Sequence, residues 1–177
     1  LYGGQQDNSA VAIPSRTSGA GIARQYWYEP AGCESAWVAV DPRDPDVTWG
    51  GCYGGSITRF DRQLGRYEEV TPWPELAVGS AAEDLRFRFQ WNAPILVSPH
   101  DPSMLYSCSN HVHRSTDGGA SWETISPDLT HDDPSYQKSS GGAITKDNTG
   151  IEVFGTVFAL AESRRQAGHL WAGTDDG

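Results

Sequence analysis

One turn decides the interpretation of this sequence: Ser115-Thr116-Asp117-Gly118-Gly119-Ala120-Ser121-Trp122. Asp117 can accept hydrogen bonds from the backbone amides of such a turn, and Gly119 can adopt the positive φ that a tight turn requires. Trp122 begins the next strand, where its ring can pack between two sheets. Because the turn explains the pattern S-x-D-x-G-x-S-W, we assign a structural and not a catalytic role to Ser115, Asp117, Gly119 and Trp122.

Short strands lie on both sides of this turn. The apolar run Ile95–Val97 and the aromatic-bearing run Met104–Cys108 precede it, and a turn of pattern Pro-x-Asp-Pro joins them. The flanking strands are about Val112–Ser115 and Trp122–Ile125. Four short strands joined by turns predict an antiparallel meander.

The same arrangement occurs once more upstream, and the two copies align without a gap. The upstream Pro-x-Asp-Pro turn lies at Pro42–Pro45 and the downstream one at Pro99–Pro102. The four upstream strands are predicted at Val38–Val40, Val47–Cys52, Ile57–Phe60 and Tyr67–Val70. One aromatic residue recurs at the same strand position in each copy or half copy, which predicts a core position for Tyr2, Trp49, Tyr106 and Trp171.

Repeats spaced by roughly 40–60 residues are typical of propeller blades. We therefore predict an all-β fold, an incomplete β-propeller of about three four-stranded antiparallel blades. Residues 1–177 form one partial propeller: 1–36 are the second half of a blade with its crossing segment, 37–90 a complete blade, 91–156 the blade with the quoted turn and a long loop, and 157–177 the first half of a further blade. We expect the chain to belong to a longer repeat protein.

The charge of the chain restricts its partners. The sequence has 23 acidic residues against 13 Lys and Arg, for a net charge of −10. Nucleic acid needs a basic surface, so we expect no nucleic-acid partner. No apolar run is long enough to cross a bilayer, so we expect no membrane insertion.

Three cysteines, Cys33, Cys52 and Cys108, stand far apart. Their odd number and wide spacing predict buried or half-buried free thiols and no disulfide framework. The cysteines and histidines do not have the spacing of a zinc site. We predict no metal and no cofactor.

Topology places the candidate functional residues on one face. Successive turns of a meander alternate between its two ends, so the turns after the second strands and the crossings between blades share the end opposite the Ser115–Trp122 turn. Carboxylates there could act as a catalytic pair, and the candidates are Asp7, Glu34, Asp175 and Asp176. Amides, an imidazole and an indole there could bind a ligand, and the candidates are Gln6, Asn8, Trp91, Asn92, Asn110 and His111.

A structural interpretation remains open for several of these residues. Asp7 with Asn8, and Asp175 with Asp176, can simply hold turns. Trp91 and Trp37 can belong to the core, and His111 can be a solvated or structural histidine. The long polar loop His131–Gly155 should rise on the same face, and long loops in compact domains are often functional.

The quoted turn resembles the Asp-box, and the repeats resemble the BNR/Asp-box superfamily of propellers. That superfamily includes sialidases, xyloglucan-cleaving glycoside hydrolases and sortilin-type receptor domains. Six phrases resemble large bacterial proteins described as BNR-repeat glycosyl hydrolases or sortilin-like proteins: residues 1–8, 88–95, 98–102, 113–117, 125–130 and 170–177. The sialidase arginine triad, tyrosine nucleophile and glutamate partner have no counterpart at a matching motif here.

The resemblance implies that the full-length protein binds or hydrolyses saccharides, so that carbohydrate is its partner. It also implies that the protein is exported. This chain alone is expected to be inactive. The alternatives are a non-catalytic, sortilin-like module that binds peptide or protein, and blades that only complete a ring. Open blade edges invite pairing, so we also expect a homodimer.

Overall fold

The computed structural model describes residues 1–35 and 37–177. Within these residues, twelve β-strands form four antiparallel sheets, and the helical structure consists of short 3-10 turns. None of the helices in this part of the chain is long and apolar enough to cross a membrane. The prediction of an all-β, antiparallel fold is confirmed, with sheets of two and four strands.

The strands follow one another in the sheets in their order along the chain. Sheet I contains β1 (Tyr2–Gly4) and β2 (Ala10–Ala12). Sheet II contains β3 (Val38–Val40), β4 (Val47–Gly51), β5 (Ile57–Asp61) and β6 (Arg66–Glu69). Sheet III contains β7 (Ile95–Val97), β8 (Leu105–Cys108), β9 (Val112–Ser115) and β10 (Glu123–Thr124). Sheet IV contains β11 (Val157–Glu162) and β12 (Leu170–Thr174).

The sheets pack face to face in series, and side chains alternate along each strand to fill both faces of sheet III. Leu105 packs against Trp49 and Ile57 of sheet II. The next residue, Tyr106, packs against Val157 and neighbouring residues of sheet IV. This period of two is the expected behaviour of a strand buried on both sides.

The Ser115–Trp122 turn is held by its own side chains. Asp117 accepts hydrogen bonds from the Ser121 amide at 2.9 Å and from the Ser121 hydroxyl at 2.6 Å. Ser115 Oγ accepts from the Gly119 amide at 2.8 Å, and Gly119 has a φ of 98°. The hydrogen bonds from Ser121, with that from Ser115, lower the pKa of Asp117 to about 2. Both oxygens of the Asp117 carboxylate therefore accept hydrogen bonds from within the turn.

The same turn also docks sheet III onto sheet II. The Trp122 indole donates to the Val70 carbonyl at 2.8 Å, and the Trp49 indole of sheet II donates to the Gly118 carbonyl at 2.9 Å. A Cβ on Gly119 would lie 2.9 Å from Val70 Cβ, so the approach requires glycine. The last strand of sheet III is shorter than predicted and comprises Glu123 and Thr124.

The predicted core aromatic residues divide into two pairs. Trp49 and Tyr106 are buried, with exposures of 2% and 1%, because the following sheet covers each of them. Tyr2 and Trp171 are exposed to 39% and 67%, so the prediction of core positions is wrong for these two. Trp171 lies on the outer face of sheet IV, which no other sheet of the described chain covers.

The cysteine prediction is wrong for two of the three residues. Cys33 and Cys52 form a disulfide, and Cys108 is the buried free thiol. The segment before sheet II folds back along β4, where the Cys33 amide donates to the Gly51 carbonyl at 3.1 Å. This return brings together two cysteines that are 19 residues apart, which their spacing alone does not reveal. Closing such a loop stabilises the fold by about 3 kcal/mol in the chain-entropy model.

We expect Gly50→Ala to destabilise the chain by at least about 3 kcal/mol, because overpacking against backbone cannot relax as side chains do. An ideal Cβ at Gly50 would lie 2.0 Å from the Ala31 carbonyl oxygen. Gly3 lies in β1 and would have nothing within 4 Å of its Cβ, so Gly3→Ala is the matched control. Urea unfolding measures both, and equal midpoints for the two variants would contradict the close approach.

Candidate functional site

The loops at the end opposite the Ser115–Trp122 turn are joined by one buried arginine. Arg88 is 6% exposed and lies in the crossing between sheets II and III. Its guanidinium donates to Asp128 at 3.0 Å, to Thr130 at 2.9 Å and to the Gly155 carbonyl at 3.0 Å, and it pairs with Asp132 at 2.9 Å. Arg88 therefore fixes the start and the end of the long loop after sheet III.

Asn110 belongs to the same network and is buried. Its side-chain oxygen accepts from the Arg88 amide at 3.0 Å, and its Nδ2 donates to Asp128 at 2.6 Å. Burial opposes the ionisation of Asp128, but hydrogen bonds from Thr130 and Asn110, together with the charge of Arg88, outweigh it and lower the pKa of Asp128 to about 2. The side-chain oxygen and nitrogen of Asn110 are therefore both engaged in holding loops in position.

Asp175 is engaged in the same way. Its carboxylate accepts four hydrogen bonds: from the amides of Gly155 and Thr156 at 3.0 and 2.8 Å, from the Thr156 hydroxyl at 2.9 Å and from Gln90 at 3.3 Å. These bonds attach the end of β12 to the beginning of β11. A carboxylate with this many donors holds the backbone in place.

Asp176 is less completely satisfied. One oxygen, Oδ2, accepts from the His131 amide at 2.8 Å. The other, Oδ1, is buried and finds no hydrogen-bond partner among the described residues. Burial works against the charged form, but the hydrogen bonds from His131 and Thr174 prevail and lower the pKa of Asp176. Asp176 is thus an ionised carboxylate with remaining capacity to accept a hydrogen bond.

Asp176 lines a cavity of about 350 Å³, which we call the Tyr136 pocket. The rings of Tyr136 and Phe154 meet edge to face there, with centroids 5.3 Å apart. Both rings are exposed, Tyr136 to 67% and Phe154 to 43%. The pocket is lined by His131, Asp133, Tyr136, Gln137, Phe154, Gly155 and Asp176.

The loop that carries most of this pocket is docked against the crossing between sheets II and III. Asn148 and Gly79 exchange hydrogen bonds, from the Gly79 amide to the Asn148 carbonyl at 2.9 Å and from Asn148 Nδ2 to the Gly79 carbonyl at 3.3 Å. A Cβ on Gly150 would lie 2.5 Å from the Ala77 backbone. At its other end, the Gln137 carbonyl accepts from the Glu83 amide at 3.0 Å.

Asp7 and Glu34 form a separate pair. The Asp7 amide donates to the Glu34 carboxylate, and Asp7 has a φ of 61° in a turn that the Asn8 amide closes onto the Gln5 carbonyl at 2.8 Å. The hydrogen bonds and ion pairs of the described residues do not join this pair to Asp175 or Asp176. Gln6 and Asn8 lie exposed in the same turn.

The remaining candidates lie near sheet III. The Trp91 ring packs edge to face on Tyr53, with centroids 5.5 Å apart, and Asn92 beside it is exposed. His111 Nδ1 lies 3.1 Å from the Ser126 carbonyl, within hydrogen-bond reach. Trp37 is 44% exposed, which corrects the core interpretation, because it precedes β3 and lies outside both core clusters.

Asp176 is the one residue of the Tyr136 pocket that was named as a candidate from the sequence; the other lining residues were missed as individuals, although the loop His131–Gly155 was singled out. A usable signal was present: Tyr136 and Phe154 are large aromatic residues in an otherwise polar, glycine-rich loop. Their proximity to Asp176 depends on contacts more than 40 residues apart in the chain, such as that between His131 and Asp176.

No cluster of three or more metal-ligating side chains occurs in the described parts of the chain. No protein-family model matches this sequence, and no curated protein matches it either. Its function is therefore inferred from the geometry of the site.

A cluster of aromatic rings packs on β9, the third strand of sheet III. Phe87 and Phe89 contact the His113 ring at centroid distances of 4.8 and 5.7 Å. His113 is 2% exposed and lies 2.8 Å from the Ser109 hydroxyl. Burial, with a smaller contribution from His111, lowers the pKa of His113 from 6.5 to about 4.

We expect His113 to make the fold sensitive to acid. Its pKa is 6.5 when unfolded and about 4 when folded, so below pH 6.5 the unfolded chain takes up a proton that the folded chain does not. This difference removes about 3 kcal/mol of the free energy of unfolding as the pH falls through that window, and nothing above it. Urea unfolding over this range measures the effect, and His113→Asn should lack this part of the decline. Equal pH slopes for the two proteins would contradict the assignment.

Proposed function

We propose that the four sheets are parts of a β-propeller of the BNR/Asp-box type. The sheets stack in series, and the first strands of sheets II, III and IV are neighbours, as inner strands around a propeller axis would be. The Ser115–Trp122 turn, which bonds to the preceding sheet, supports the assignment to the Asp-box type.

The function that we propose is saccharide binding at the Tyr136 pocket. The observation that carries it is the exposed pair of rings, Tyr136 and Phe154, beside the ionised carboxylate of Asp176. Aromatic faces cover the CH surfaces of sugars, and carboxylates and amides accept or donate hydrogen bonds to hydroxyl groups. Gln137 also lines the pocket, where its Nε2 donates to Asp132 at 2.8 Å.

Binding is favoured over hydrolysis in this chain. Glycosidases of the common kind need two carboxylates on either side of the scissile bond, one of them able to carry a proton. The carboxylate of Asp175 is occupied by four donors that hold the backbone. The pKa of Asp176 is lowered, so this carboxylate is not prepared to act as the acid. The Cys33–Cys52 disulfide supports the export that the resemblance implies, since disulfides persist in oxidising compartments.

A sortilin-like peptide module remains the second candidate. The exposure of Tyr136 and Phe154 favours it, because an apolar peptide side chain could cover the same rings. The two functions differ in whether oligosaccharides occupy the pocket.

We expect neutral oligosaccharides of β-1,4-linked glucose, with and without xylose branches, to bind the chain by contacting the rings of Tyr136 and Phe154. Tyr136→Ala should weaken binding about tenfold, because it removes one stacking surface. Leu64 is 73% exposed in the β5–β6 turn, so Leu64→Ala is the control and should bind as the original chain does. Titration calorimetry with both variants measures this. Absence of binding by the folded chain would favour the peptide module.

We also propose that the outer face of sheet IV pairs with a second copy of this chain. Trp171 holds the strand position at which Trp49 and Tyr106 are each covered by a following sheet, and Phe158 of β11 in the same sheet is 45% exposed. Leu1, which directly precedes β1 and is 73% exposed, holds the position at which Leu105 and Leu170 pack against a preceding sheet. The exposed face of sheet IV and the surface around Leu1 therefore carry the two types of side chain that pack against each other between neighbouring sheets elsewhere in the chain.

Light scattering over a concentration series should show a mass above that of one chain. Trp171→Lys should reduce the association, because it places a charge in the apolar contact. Leu64→Lys makes the same change on an exposed apolar side chain elsewhere and should leave the mass unchanged. A single-chain mass at every concentration would overturn the pairing.

A further inference from the structure

The charge around the Tyr136 pocket is strongly one-sided. Asp133 and Asp176 line it, and Asp132 and Asp175 are hydrogen-bonded to Gln137 and Gly155, which also line it. Against these four carboxylates stand the guanidinium of Arg88, which donates to the Gly155 carbonyl, and the imidazole of His131, which lines the pocket. Lys138 follows Gln137 in the chain but is not among the residues that line the pocket.

Arg88 cannot neutralise the pocket, because its charge is already shared. Its side chain is 7% exposed and pairs with Asp128 at 3.0 Å and with Asp132 at 2.9 Å. A buried guanidinium between two carboxylates leaves that group with a net negative charge. The potential inside a concave, partly enclosed site is stronger than on an open surface.

Asp176 lines the pocket, and no bond of the described residues joins it to Arg88. No ion pair of the described residues includes it, and its hydrogen bond at Oδ2 comes from a neutral backbone amide. Its Oδ1 is buried without a partner. A positively charged ligand would therefore gain an electrostatic attraction to Asp176 that a neutral ligand lacks.

The ring pair adds to the preference for a cation. A protonated amine near the faces of Tyr136 and Phe154 is attracted by their π-electrons. A hexose ring with an amino substituent can present its CH surface to the rings and its ammonium group to the carboxylates. A sugar with a carboxylate of its own would be repelled by the same surroundings.

We propose that the Tyr136 pocket selects amino sugars with a free, protonated amine over neutral and acidic sugars. This selection rests on the proposed saccharide-binding function and specifies its ligand. The recognising groups are the carboxylate of Asp176, assisted by Asp133, and the rings of Tyr136 and Phe154.

Three hexasaccharides with the same β-1,4 linkage test the selection: one of glucosamine, one of N-acetylglucosamine and one of glucose. Calorimetric titration of the full chain, slightly below neutral pH, should give a dissociation constant about tenfold lower for the glucosamine hexamer than for the other two. Added salt should weaken the binding of the glucosamine hexamer and leave the neutral hexamers almost unaffected.

Asp176→Asn removes the charge at nearly constant shape and should weaken the binding of the glucosamine hexamer more than that of the neutral hexamers, so that the preference falls. Asp101→Asn makes the same change in the Pro99–Pro102 turn, outside the pocket, and should keep the preference. Equal affinities for all three hexamers would overturn the amine selection and leave saccharide binding intact. Failure of all three to bind the folded chain would overturn the saccharide function itself, and the selection with it.

Discussion

The structure depends above all on how one sheet docks onto the next. Two indole N–H groups carry this contact between sheets II and III: Trp122 donates to the Val70 carbonyl, and Trp49 donates to the Gly118 carbonyl. Each donor satisfies a backbone group that no strand partner reaches, while its ring fills the space between the sheets. The internal bonds of Asp117 keep the turn rigid enough to offer Gly118 in the right place.

Hydrogen bonds and ion pairs hold the loops opposite the Ser115–Trp122 turn, whereas apolar packing holds the sheets together. Arg88 is buried because four acceptors surround it, three from residues 128–132 and one from Gly155, and each of those acceptors is fixed in return. Asp175 does the same for the beginning of β11 and the end of β12. Buried polar groups of this kind are tolerated only when they are fully bonded. The polar residues around the pocket therefore divide into those that hold the loops and the few, above all Asp176, that retain capacity for a ligand.

The success of the sequence-based predictions follows the range of the interactions. The four-stranded meanders could be predicted because strand period and turn residues are local, and Pro42–Pro45 and Pro99–Pro102 mark the same turn twice. The exposure of Tyr2 and Trp171 could not, because burial depends on which sheet covers a strand and not on the strand itself. The Cys33–Cys52 pairing was hidden for the same reason, since it depends on the return of a crossing segment along β4.

By itself the sequence determined the strand pattern, the turn around Asp117, the acidic balance and the face on which the polar loops gather. These follow from side-chain period, from turn residues and from the alternation of turns between the two ends of a meander. Only the tertiary structure decided that Asn110 and Asp175 position loops, that Asp7 pairs with Glu34 apart from Asp176, and that Tyr136 and Phe154 meet beside that carboxylate. The physical reason is that a hydrogen-bond network such as that of Arg88 joins residues far apart in the chain, and sequence spacing carries no information about their distances in space.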